Sequence, residues 1–134
     1  MRQITYDGVV TALLDTIPEV RNVYDSELRW WGKDPPPPDP YTVFGFALRP
    51  VLTHLARTEA DEGVLKRVFG FFEEMAGSED LEVVNLLQVS ELEFLVTNPD
   101  LLSRAWKYMG ERTKALTRET AKTWNSHQNL PAEE

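Results

Sequence analysis

The chain has 134 residues, 22 acidic and 14 basic side chains, a formal net charge of −8 and no cysteine. That length suits one domain able to bury most of its apolar surface unaided, and the missing cysteines exclude a disulfide framework and a thiolate metal site. At 42% hydrophobic and 10% aromatic residues it is too apolar for a disordered chain.

The opening "MRQITYDGVVTALLD" holds no apolar run of signal-peptide length. No window reaches the ~20 apolar residues of a membrane helix, so the cytoplasm is the expected location. The charge is unevenly spread: residues 1–58 sum to −1, residues 59–97 to −8 and residues 98–134 to +1. An acidic middle third of this kind repels nucleic acid and membrane surfaces and speeds association with a basic partner.

The first helical stripe, over 4–17, is Tyr6, Val9, Val10, Leu13, Leu14 and Ile17. Pro18 ends it and suits the first position of a second helix, 18–31, with Val20, Val23, Tyr24, Leu28 and Trp31 inward and Gly32 as its stop. Pro35–Pro38 cannot continue a helix and favour an extended rod. Asp39-Pro40 is a cap followed by a first-turn proline. The run 34–40 thus reads as a strut inside one domain, not a boundary.

The third helix, 40–57, places Tyr41, Phe44, Leu48, Val51, Leu52 and Leu55 inward, and Pro50 should kink it. Val43, Phe46 and Pro50 form a second apolar patch, either packed beneath the C-terminal helices or open to a partner. The fourth helix, 60–76, buries Val64, Leu65, Val68, Phe69, Phe71, Phe72 and Met75. Gly63 and Gly70 lie on its wet face, where the cost of glycine suggests a close neighbour.

Gly77 closes that helix, and Ser78 with the acidic run "EDLE" opens the fifth. Helix 79–97, "EDLEVVNLLQVSELEFLVT", is apolar around most of its circumference and should be central. Glu91 falls beside Leu87 and Leu95, so its carboxylate should need a cation, expected from the basic C-terminal helices. Asn98-Pro99 starts the sixth helix, which Gly110 stops. The last, 111–124, carries a thin stripe of Leu116, Thr120 and Trp124 and a basic face, before a tail that should fray.

The expected fold is therefore all-α: a single-domain antiparallel array of six to seven short helices spanning 1–125, with a flexible tail over 126–134. The pair 60–97, with its tight turn, reads as a HEAT-like helical hairpin, although no second copy follows at fixed spacing.

Chemistry leaves few signals. His54 and His127 are far apart, and no metal-binding histidine pair, phosphate-cradling glycine loop or nucleophile elbow is present. No cofactor or metal is implied. Only Glu91 hints at the desolvated carboxylate that acid–base catalysis needs.

Residues 68–116, "VFGFFEEMAGSEDLEVVNLLQVSELEFLVTNPDLLSRAWKYMGERTKAL", resemble the C-terminal half of a family of small all-helical bacterial proteins without assigned activity, similar to immunity proteins of polymorphic toxin systems. The resemblance rests on the "FFEEMA" helix end, the "SED" turn, the "VVNLLQVSELEFL" helix and the "YMGERT" break. It implies a binding protein, antitoxin-like in action. Glu91 departs from the resemblance, which implies an apolar residue there and an acid at Glu93.

The resulting expectation is a non-catalytic module docking a basic protein through Glu73, Glu74, Glu79, Asp80, Glu82 and Glu93, with Val43, Phe46 and Pro50 as a second patch. Its rivals are a small helical enzyme using buried carboxylates and a structural homo-oligomer subunit.

Overall fold

Among the described residues seven helices follow one another as the apolar spacing predicts. The computed structural model describes residues 3–31, 38–58 and 61–131. Helix α1 is Val9–Thr16, and α2, Pro18–Leu28, starts on its proline and runs into a 3-10 turn, Arg29–Trp31. The stop expected at Gly32 and residues 34–37 of the strut lie outside the described residues. Asp39 opens α3 (40–58) by accepting the Thr42 N–H at 3.0 Å. Then come α4, Glu62–Ala76; α5 (81–96); α6, Pro99–Trp106; and α7, Glu111–Thr123.

The core follows the predicted stripes. On α4, Val64, Leu65, Val68, Phe69, Phe71, Phe72 and Met75 are all buried. Helices α4 and α5 form the hairpin at the centre of the array: α4 touches α1, α3 and α7 as well, and α5 touches α3, α6 and α7. The hairpin is thus surrounded by the other helices, in one all-α domain with no strand among the described residues. No described helix is long and apolar enough to cross a membrane.

Val9 and Leu13 of α1, Val20 of α2 and Ile17 between them have no exposed surface. At about 1.5–3 kcal/mol each, their burial is comparable with a whole domain's stability. Residues 40–134 alone are therefore expected to melt without a cooperative transition in circular dichroism; a sharp one would make the first two helices dispensable.

Several details differ from expectation, each for a local reason. Helix α1 starts at Val9 because residues 3–6 dock on the α4–α5 turn instead: Ser78 Oγ donates to the Ile4 carbonyl at 2.5 Å, and the Tyr6 N–H to Asp80 at 2.8 Å. Asp80, not Ser78, caps α5, accepting the Glu82 N–H at 3.1 Å. Pro50 is preceded by a π-helical turn, Phe44–Leu48, in which the Arg49 N–H reaches back to Phe44. The extra residue lets the helix pass a proline that cannot donate. A second π turn, Gln88–Leu92, interrupts α5, and the two turns pack on each other.

The three residues of the second apolar patch on α3 do not share one exposed surface. Val43 is fully buried, and Phe46 stacks on Tyr24 of α2 at 6.2 Å, so this face packs on α2, not beneath the C-terminal helices; Pro50 alone of the three is exposed. Gly63 and Gly70 meet no neighbouring helix, since a Cβ at Gly70 would touch nothing within 4 Å and one at Gly63 only the cap Asp61. Asn98 donates backwards to the Phe94 carbonyl and does not cap α6.

Helix α7 buries threonines: Thr113, Thr117 and Thr120 face inward, and the last two satisfy their hydroxyls on the carbonyls four residues back, at 2.6 and 2.8 Å. Asn125 then adopts a left-handed conformation (φ 52°), with Ser126 N–H bonding Ala121 and Asn125 N–H bonding Lys122. This Schellman closure turns the chain back. Residues 126–131, expected to fray, are instead tied down by Asn129, which donates to the Val96 carbonyl at 2.9 Å, and by Leu130 on the core.

Candidate partner-binding face

The structure divides the six predicted acids into two kinds. Glu73 is spent inside the molecule. Helix α7 has no capping side chain of its own, and Glu73 on α4 takes that role, accepting Arg112 N–H at 3.0 Å, Thr113 N–H at 2.9 Å and the Thr113 hydroxyl at 2.8 Å. Partial burial pushes its pKa up, but those donors and the Arg112 charge outweigh it and leave the carboxyl below its ordinary value.

Here, too, are the close approaches first sought at Gly63 and Gly70: a Cβ on Gly110 would sit 2.5 Å from the Glu73 carboxyl, and one on Gly77 2.6 Å from the Arg112 guanidinium. Glu73→Gln and Gly110→Ala should each cost about 1–2 kcal/mol, the worth of a cap, and the double variant little more than either. Additive losses in a double-mutant cycle by urea melts would separate the glycine from the cap. Because the Glu73 pKa is lowered on folding, this contribution is present above the unfolded-state value and lost as pH falls through the folded one.

Asp80 is also engaged, one oxygen capping α5 and the other holding Tyr6. Both acids are thus half-buried and committed to helix starts within the fold. Glu79 and Glu82 are exposed, and Glu74 and Glu93 half-buried.

The α5 face that carries Glu82 is not purely acidic. Leu81, Glu82, Asn85 and Val89 form its outward stripe, with Leu81 79% and Val89 41% exposed. Beside Val89 lies Trp124, 51% exposed, carried outward at the end of α7. Two shallow grooves, about 270 and 210 Å³, share Val89, Glu93 and Trp124. Apolar knobs therefore alternate with carboxylates along one side. Leu81 and Val89, on the helix expected to be central, and Trp124, on the stripe of the last helix, are thus outside the core where spacing places them.

Arg49 of α3 forms one wall of the larger groove and leads inward to Glu91. Glu91 has no exposed surface, so no solute reaches its oxygens in this conformation. Its cation comes from α3, not from the C-terminal helices as expected: Arg49 Nε lies 3.8 Å from the carboxylate. The contact is too long for a hydrogen bond, and neither Glu91 oxygen accepts one among the described residues. Arg49 Nη2 instead donates to the Ser90 carbonyl, and the guanidinium sits over the Phe94 ring, 4.9 Å from its centroid. Burial raises the Glu91 pKa well above the ordinary carboxylate value, and the Arg49 charge only partly opposes it.

No curated protein and no solved structure matches the chain. A family model described as a domain of unknown function, DUF7674, matches residues 10–125, from within α1 to just past the end of α7. Spanning most of the chain, that match makes the protein a member of the DUF7674 family.

Proposed function

We propose that the chain is a non-catalytic protein-binding module of the immunity type, an antitoxin-like inhibitor that acts by occlusion on a basic protein in the bacterial cytoplasm. The observation that carries this reading is the alternation of exposed Leu81, Val89 and Trp124 with Glu79, Glu82 and Glu93 on one side of the molecule. Such a face divides the labour of binding. Carboxylates steer a basic surface in and reject acidic ones, while apolar anchors, above all a tryptophan, hold it once water is displaced. Occlusion needs no reactive group, only shape, charge and anchors.

Glu73 and Asp80 drop out of the docking set because they hold the fold together. Glu74 is half-buried and belongs to α4, not to α5 or α7. Glu79, Glu82 and Glu93 remain, with Trp124 as the central anchor.

Trp124→Ala should leave the melting temperature nearly unchanged, because the ring is half in solvent. It should weaken the partner by about 30-fold, the effect of losing a hot-spot side chain worth ~2 kcal/mol. The check is affinity capture from the native host with the wild-type and variant proteins, followed by titration of the captured protein. A captured basic protein that the variant no longer retains supports the reading. Equal retention by the variant, or an acidic partner, overturns it.

A further inference from the structure

A basic surface of this acidic protein lies on α3. Arg49, Thr53 and Arg57 recur every four residues, and Pro50, His54 and Thr58 follow one position on, so both rows share a flank of the helix. They line a groove of about 480 Å³ to which no described carboxylate contributes. Gly45 extends its floor, and a Cβ there would meet nothing within 4 Å, so packing does not demand the glycine. The missing side chain leaves the flank of Arg49 open.

Across Pro50 and His54 the groove continues into a second one of about 380 Å³, between α2, α3 and α4. Its walls are Val23, Val51, Leu55 and Val64. Two carboxylates stand at its rim, both already committed: Glu19 forms a two-pronged pair with Arg67 at 2.9 and 2.7 Å, and Asp61 caps α4. One end of the combined groove is thus cationic and rich in hydroxyls, the other apolar. Each part falls in the ~300–1,000 Å³ range of small-ligand sites.

We propose that this groove binds a small amphipathic anion, its oxyanion head on Arg49, His54 and Arg57 and its apolar tail between α2, α3 and α4. Arg49 is pre-set for the role, since its bond to the Ser90 carbonyl and its seat over Phe94 fix the guanidinium while a third of the side chain stays exposed. A fixed guanidinium presents its remaining donors without ordering cost on binding, and its planar fork suits carboxylate and phosphate alike. Arg57 makes no ion pair among the described residues. This site lies on α3 and not on the acidic docking stripe of α5, with Arg49 as the one lining residue that both grooves share.

The test is calorimetric titration of the full chain with octanoate, octyl phosphate, 1-octanol and inorganic phosphate. Saturable one-to-one binding of octanoate or octyl phosphate is expected, with octanol and inorganic phosphate at least about tenfold weaker because each lacks half of the recognition. The tighter of the two amphiphiles identifies the head group. His54→Gln/Arg57→Gln, both on exposed positions, should fold normally and lose about tenfold in affinity for the amphiphile, the cost of forfeiting charge-assisted contacts. Octanol binding as well as octanoate, phosphate binding as well as octyl phosphate, no saturable binding of either amphiphile, or an unchanged double variant would each overturn the proposal.

Discussion

Replacing Arg49 with methionine should lower stability at pH 8 by about 3–5 kcal/mol, and adding Glu91→Gln should restore most of that loss. The reason is the imbalance inside the pair. Glu91 has given up all its water, makes no hydrogen bond among the described residues and is offset only by a guanidinium 3.8 Å away. Removing that cation leaves a buried carboxylate uncompensated, whereas neutralising both groups removes the desolvation cost altogether.

The pH dependence has a definite sign. The Glu91 pKa is raised on folding, so the folded state holds the proton more tightly than the unfolded one. Its contribution is complete below the unfolded-state value, near 4.5, and is lost as pH rises toward the folded value. Glu91→Gln alone should therefore flatten the stability profile over that window and leave the protein at least as stable as wild type at pH 8. Urea melts from pH 4 to pH 8 decide it, with Glu73 acting in the opposite sense at the acidic end. A Glu91→Gln variant clearly weaker than wild type at pH 8 would mean that the ion pair outweighs its desolvation.

How far the sequence reaches is clearest at particular residues. Helix order and the α4 core were legible because apolar spacing and the Pro18, Asp39 and Pro99 starts agree with one another. The burial of Glu91 was legible from Leu87 and Leu95 on either side. Its cation was not, because Arg49 lies 42 positions away and meets Glu91 only where the two π turns pack together. Spacing cannot show a π turn, which shifts register by one residue.

Trp124 was misassigned for a related reason. It lies four residues after the buried Thr120, but the Schellman closure at Asn125 ends the helix there and leaves the ring outside. Val89 had a usable clue, flanked at helical spacing by the polar Asn85 and Glu93. The acids divided as they did because a carboxylate capping a helix looks, in sequence, like one facing solvent. Asp80 carried a readable sign, directly before an apolar helix. Glu73 did not, since the helix it caps begins 38 residues later.

The docking face itself is tested most directly by association kinetics. Glu79→Lys/Glu82→Lys/Glu93→Lys spares Glu73 and Asp80, so the caps they provide survive, and it moves the formal net charge from −8 to −2, two units for each reversal. The captured partner should bind this variant with an on-rate about tenfold or more lower at low salt, the usual scale of electrostatic steering, while the off-rate, governed by Val89 and Trp124, changes less. Raising the ionic strength from about 0.01 to 0.15 M shortens the screening length from about 30 to 8 Å and should bring the two on-rates together. On-rates that are equal at both ionic strengths would contradict the account and leave Glu79, Glu82 and Glu93 as solvated surface.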